Sequence, residues 1–248
     1  MVAMITMAAS TASCAFIRVS DDLIEKLDAK GGLIKADGNL TVKNYDIQEF
    51  TTLKVSLPCD IKYTQGENSL SISASANIID IINVDCSDNV LSISSSETLR
   101  RPGKITVYLS SENLTAINIK GAADFSSEGS ITSDKDFTIE VNGAGDIDIN
   151  HLKAANIDIL VNGAGDIDLD VIETGTLAME INGAGDADIK NLNCTTVTAE
   201  LNGAGDCEIK GKADNANISV SGAGSIDVRN LACTNKNTSV RGAGSIKK

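Results

Sequence analysis

The chain has 248 residues, 34 of them acidic and 21 basic, for a formal net charge of −13. No Lys/Arg cluster supplies the basic stripe that neutralises phosphates, which excludes nucleic acid as a partner, and no apolar run reaches the ~18 residues of a membrane-spanning helix. Aromatics make up 3% with no Trp, which argues against a deep aromatic-walled pocket, while 21 Gly against 2 Pro favours strands and turns.

Residues 1–13 (MVAMITMAASTAS) are uncharged, small and moderately apolar, and they end at Cys14. The stretch resembles the end of a bacterial lipoprotein signal, in which a small-residue box precedes a cysteine that becomes the lipidated first residue. It lacks the usual opening Lys or Arg and has Thr11 where Leu is commoner. Residues 1–14 are thus read as a signal or lipobox-like leader with Cys14 as the lipidation site, the alternative being an ordinary tail. Residues 15–39, of mixed charge, read as a tether, with a short helix open to the stretch Leu23–Leu27. Membrane contact is expected only through the N-terminal lipid.

Residues 40–248 read as one β-solenoid domain. Its first part, residues 50–110, shows short alternating segments expected to form irregular first coils or an N-terminal cap. Cys59 and Cys86 lie in neighbouring segments and are candidates for a disulfide, though five cysteines remain if Cys14 carries lipid, and an odd number cannot all pair. No CxxC spacing occurs, and the single His151, placed in a return loop, cannot complete a Cys/His zinc site.

From residue 121 the chain repeats. Gly-Ala-Gly begins at Gly143, Gly163, Gly183, Gly203, Gly222 and Gly242, after a degenerate Gly121-Ala122-Ala123. A period of about 20 residues marks a solenoid, whose coils cannot bury their apolar faces alone. Each coil reads as a strand, a glycine corner with its alanine pointing inward, a second strand, and about seven loose return residues. Stacked in register, the coils align apolar columns: Val141, Val161, Ile181, Leu201; Ile147, Ile167, Ala187, Cys207; Ile149, Leu169, Ile189, Ile209; and Leu152, Ile172, Leu192, with Lys212 out of pattern. Cys194, Cys207 and Cys233 read as small core residues. The expected fold is all-β, a right-handed parallel β-helix or solenoid of about 20 residues per coil.

The outward positions carry two acidic columns: Asp146, Asp166, Asp186 and Asp206 next to the corner, and Asp148, Asp168, Asp188 and Glu208 two residues on. Like carboxylates about 5 Å apart repel by about 0.8 kcal/mol in water. Two readings stand: a solvated acidic face, or ladders that collect Ca²⁺, a hard cation taking several carboxylate oxygens. No other cofactor is expected. The Asn column (Asn142, Asn162, Asn182, Asn202) reads as structural, capping backbone groups or stacking amide on amide.

The recurring [Val/Ile/Leu]-Asn-Gly-Ala-Gly-Asp-[Ile/Ala/Cys]-[Asp/Glu]-Ile, with Leu53–Pro58, Tyr63–Gly66, Asn68–Ile72, Leu91–Ile93 and Ile105–Leu109 before it, is similar to the putative auto-transporter adhesin, head GIN domain family, found chiefly in Bacteroidetes. The resemblance covers roughly residues 40–248. It implies a β-helix-like domain on an exported, often lipid-anchored protein, and it brings no catalytic residues to carry over.

No catalytic constellation is expected: a second histidine is lacking for a Ser-His-Asp or Cys-His arrangement, no Gly-x-Ser-x-Gly elbow or phosphate loop occurs, and no carboxylate pair is singled out among the repeats. The expected function is a non-catalytic cell-envelope binding module, adhesin-like and lipid-anchored, in the periplasm or on the outer-membrane surface, with glycans or envelope proteins as partners. The alternatives are a structural envelope lipoprotein without a ligand and a glycan-active β-helix enzyme.

Overall fold

The computed structural model describes residues 34–248; Cys14, the leader, the stretch Leu23–Leu27 and tether residues 15–33 lie outside the described residues. The described part is almost wholly strand. Its first half comprises β1 (Ile34–Lys35), β2 (Leu40–Tyr45), β3 (Thr52–Val55), β4 (Asp60–Gln65), β5 (Ser69–Ser75), the one-turn helix α1 (Ala76–Ile79), β6 (Ile82–Ser87), β7 (Val90–Ser95), β8 (Leu99–Arg101) and β9 (Thr106–Ser111). The repeats follow as β10 (Ala116–Gly121), β11 (Asp124–Thr132), β12 (Phe137–Gly143), β13 (Ile147–Lys153), β14 (Asn156–Gly163), β15 (Ile167–Glu173), β16 (Thr176–Gly183), β17 (Ala187–Gly203), β18 (Asp206–Gly222), β19 (Ser225–Asp227), β20 (Leu231–Gly242) and β21 (Ser245–Lys247).

From β10 onward, each strand pairs in parallel with its counterpart one coil away, residue for residue except for register shifts between Ser127 and Ser130 and between Ile189 and Leu192. Val141 faces Val161, Val161 faces Ile181, and Ile181 faces Leu201, so one apolar type is repeated along a buried column. The alternation that puts every second residue inside is the period-two geometry of a strand, and burying each such Ile, Leu or Val contributes roughly 1.5–3 kcal/mol.

The returns differ from the expected loops. β13 and β14 are separated only by Ala154 and Ala155, while β17 and β18 each run 17 residues without a break. Leu152, Ile172 and Leu192 bury themselves there, and that inward column keeps the return extended. His151 therefore lies in a strand, half-buried, with Nδ1 at 3.1 Å from Ser130 Oγ and Nε2 at 3.5 Å from Glu173 Oε1. The misfit of Lys212 also resolves. Ile189 faces Ile209 but Leu192 faces Gly211, so one residue is missing from that coil and Gly211, not Lys212, occupies the column.

The region before the repeats is both a coil and a cap, and its order in space differs from its order in sequence. β3 lies between β7 and β10, and β4 between β9 and β11, all in parallel. The first coil in the chain is thus second in the stack. Beyond it the strands turn antiparallel: β5 pairs with β9, β2 with β5, and β6 with β7. Strand structure begins inside the segment read as a tether, since β1 pairs with β8. Cys59 and Cys86 are both free: Cys59 is buried, whereas Cys86 is half-exposed and its thiol donates to the carbonyl of Gln48. They point to different environments, so the disulfide does not form. Of the other three, Cys207 is buried as expected, but Cys194 and Cys233 are only half-buried at the edge of the core.

Candidate binding surface

The corner determines what faces outward. Gly163 has φ +148°, and a Cβ there would overlap the carbonyl of Gly143 one coil below. Gly165 is buried and its Cβ would overlap the carbonyl oxygen of Gly145. Both glycines are required because backbone stacks directly on backbone, with Ala164 N donating to Gly143 O at 2.9 Å. The alanine was expected to point inward. Instead Ala144, Ala164, Ala184 and Ala204 are exposed, and the second glycine faces the core. The space inside the corner is filled by the neighbouring coil's carbonyls and, at Gly145, by the side chain of Ile119.

The aspartates beside the corner form a ladder. The backbone N–H of Asp146 donates to Asp124 Oδ1, that of Asp166 to Asp146 Oδ1, that of Asp186 to Asp166 Oδ1 and that of Asp206 to Asp186 Oδ1, at 3.1, 3.0, 2.9 and 2.7 Å. A corner N–H that no strand partner reaches is thus satisfied by a charge-assisted bond from the coil before. Where serine replaces aspartate, the donor turns to backbone: Ser225 N reaches Gly205 O and Ser245 N reaches Gly224 O. The asparagines stack amide on amide, Asn162 to Asn142, Asn182 to Asn162 and Asn202 to Asn182, at 2.9 to 3.0 Å.

Asp166→Ala removes the acceptor for Asp186 N–H and is expected to lower stability by about 1 kcal/mol. Asp166→Asn keeps an acceptor oxygen and should stay within about 0.5 kcal/mol of the parent. Denaturant titration compares the two, and equal losses would mean that the bond contributes nothing.

The second acidic column is partly compensated by a basic one. Lys210 pairs with Glu208 at 2.9 Å and Arg229 with Asp227 at 2.6 Å, while Lys190 pairs with Asp170. The guanidinium of Arg229 holds the Asp227 carboxyl down at about 2. Asp168 shows the opposite: partial burial, then Asp188, Asp148 and Asp166, raise its pKa above the ordinary 3.8 despite an opposing pull from Lys190. A carboxylate raised in the folded state binds protons more readily there than in the unfolded chain. Stability therefore falls as pH rises from 3.8 through the raised value, and the whole penalty is present at neutral pH. Asp168→Asn should raise the melting temperature at pH 7 and leave it unchanged at about pH 3, where both states carry the proton.

Between the columns runs a groove of about 430 Å³, floored by Ile167, Ala187 and Cys207 and closed at one end by Arg229 and Lys247. The structure thus brings Asp166, Asp168, Asp186, Asp188, Asp206 and Glu208 along one groove, while Asp146 and Asp148 continue the same columns outside it. One oxygen of Asp146, Asp166 and Asp186 is already bonded to backbone, and among the described residues no three His, Cys, Asp or Glu side chains converge as a metal cage. Exchanging EDTA for about 2 mM Ca²⁺ at fixed ionic strength is expected to leave the melting temperature unchanged, because a metal held only by the folded state must raise it. A rise of several degrees that Asp166→Asn and Asp186→Asn abolish would assign the ladders to metal instead.

A second groove, of about 690 Å³, lies on the cap and escaped the sequence reading. Residues outside the repeat line it, among them Asn44, Lys62, Thr64, Asn68, Ser71 and Tyr108. Its signal was the alternation around Tyr108: Val107 and Leu109 are buried, which turns the ring outward.

Residues 49–171 and 159–247 each match the model of one family, described as "Putative auto-transporter adhesin, head GIN domain". The chain belongs to this family. Among solved structures, this head GIN chain is similar to a "putative adhesin" from Bacteroides fragilis NCTC 9343, with 27% identity, TM-score 0.78, and 86% of this chain and 99% of that one covered. A "putative lipid binding protein" from Parabacteroides distasonis ATCC 8503 shares the fold at 21% identity and TM-score 0.71, over 87% and 98% of the two chains. A "putative adhesin" from Parabacteroides merdae ATCC 43184 shares it at 21% and TM-score 0.63, over 87% and 98%. No curated protein matches the chain. The stacked coils of about 20 residues expected from the repeats are the fold of this family.

Proposed function

We propose that this head GIN chain is a non-catalytic binding module of the cell envelope, exported, held there by lipid on Cys14, and adhesin-like in presenting its surface to glycans or envelope proteins. The observation that carries this reading is the outer face of the repeats. Polar columns run from coil to coil, and because the returns are strands, no long loop stands over them to build a reaction cleft. A regular polar face offers many equivalent, weakly individual contacts, which suits binding along an extended partner better than chemistry at one bond. The family description and the Bacteroides fragilis neighbour support the same class.

Anchoring and binding separate experimentally. The full chain produced in a Bacteroidetes host should incorporate labelled palmitate and sediment with membranes, and Cys14→Ala should do neither. Parent protein found wholly in the soluble fraction would overturn the anchor. Surface labelling of intact cells together with a glycan array then tests the module: signal in neither leaves a structural envelope protein without a specific ligand.

A further inference from the structure

From the cap groove we infer a saccharide-binding site centred on Tyr108; the inference rests on the binding-module reading and gives that module a place and a ligand class. Tyr108 is 52% exposed, and among the described residues it is the one exposed aromatic. Three Phe and Tyr63 are buried, at 2% exposure or less. In a chain so poor in aromatics, this ring is the one aromatic stacking surface that the described residues offer on their outer face.

Its neighbours are set by register. Lys62 of β4 pairs with Tyr108 of β9, Tyr108 with Ser71 of β5, and Ser71 with Asn44 of β2, so four side chains form one row on one face across four strands. The next row on that face runs from Thr64 through Ser110 to Ser69. Part of this floor is fixed by internal bonds. Ser69 and Ser110 share a hydrogen bond at 2.7 Å, Lys62 Nζ donates to Ser126 Oγ at 2.9 Å, and Gln65 ties the hairpin to the backbone of Glu112 and Thr132. Another part is unspent: the side chains of Asn44, Thr64, Asn68, Ser71 and Tyr108 bond to no other described residue. Tyr45 also lines the groove, and its hydroxyl is buried without a partner among the described residues.

A shallow groove with one aromatic face, neutral amides and hydroxyls on either side, and a pinned floor matches the surface of a pyranose. The sugar ring offers an apolar C–H face to stack on Tyr108 and a rim of hydroxyls that donate and accept at once, as Asn, Ser and Thr do. An acidic or basic peptide would call for a strong charge bias, whereas the charged residues lining the groove, Lys62, Asp46 and Glu67, sum to −1.

The test uses the full chain on an array of bacterial and host oligosaccharides, followed by calorimetry with the best-binding oligosaccharide. Tyr108→Ala should bind it about tenfold more weakly or worse, and Tyr108→Phe, which keeps the stacking face, within about threefold of the parent. An unchanged melting temperature for Tyr108→Ala checks its fold. Oligosaccharide binding that survives Tyr108→Ala overturns this site while leaving the binding-module reading intact. No array signal, with an envelope protein captured instead, overturns the saccharide but again spares the module. Concentration-dependent dimerisation lost in Tyr108→Ala would also overturn it, because Leu40 and Val42 are exposed on the same face of β2, and β2 pairs on one side only.

Discussion

Gly163→Ala should cost about 3 kcal/mol or more, a large share of the roughly 5–15 kcal/mol by which a folded domain is ordinarily stable. Two effects add. At φ +148° the new side chain occupies backbone space that L residues rarely enter, and its Cβ would overlap the Gly143 carbonyl, lying 2.9 Å from the carbonyl carbon. Nothing flexible can give way, because the obstacle is the neighbouring coil's main chain and moving it breaks the Ala164-to-Gly143 hydrogen bond. Two controls isolate the cause. Gly129→Ala meets nothing within 4 Å, and Ala164→Ser changes an exposed position, so both should fall within about 0.5 kcal/mol of the parent. Thermal melts followed by circular dichroism decide the matter. A Gly163→Ala protein as stable as Gly129→Ala would mean that the coils can separate locally, and that the glycine spine is not what fixes their spacing.

Phe125→Ala is expected to cost about 3–5 kcal/mol and to change the shape of the transition as well as its midpoint. Phe125 is buried in β11, facing Ile61 of β4 on one side and Ile147 of β13 on the other. Its ring stacks on that of Tyr63 with centroids 5.6 Å apart, and Tyr63 donates to the carbonyl of Ser111 at 2.8 Å. This cluster joins the cap to the regular coils. In a stack where each unit touches only its neighbours, cooperativity is the sum of such junctions. A cavity at this one should let cap and coils melt apart, giving two transitions by calorimetry in place of the single one expected of the parent. Phe125→Leu, which keeps most of the apolar volume, should restore a single transition at a cost of less than about 1.5 kcal/mol. A single sharp transition in Phe125→Ala would show that the strand pairing of β4 with β11 carries the coupling without the rings.

The inward columns were legible because two periods coincide: alternation inside a strand and about twenty residues between coils. Val141, Ile147 and Ile149 could be placed inside from those alone. The same logic places Leu152 in an inward column yet reads the return around it as loose, although a column repeated in every coil needs an extended return to hold it. Ala144 was misdirected for a different reason. An alanine fits either side of a corner, and only the packing of carbonyl on glycine shows that the inside is already full. The cap was the least legible part. Alternation reveals which face of β5 or β9 is buried, but neither its partner nor the antiparallel direction, and stack order there departs from chain order. The acidic columns were read from the sequence as a charge problem. In the structure the inner one is a hydrogen-bonding device, a role hidden from sequence because it depends on a backbone N–H one coil away.

The bonds running from Asp124 to Asp206 all point one way, each carboxylate serving the coil that comes later in the chain. A coil spliced into that run would find an acceptor waiting beneath it and would present one to the coil above. Duplication or loss of a whole repeat therefore leaves every handover in the run with its acceptor, and the 22-residue coil from Asp124 to Asp146 keeps its handover by taking up the extra residues as a register shift between Ser127 and Ser130. Such a protein can be lengthened or shortened in steps of about 4.8 Å without redesign, a ruler whose graduations are fixed while its reach is left to evolution.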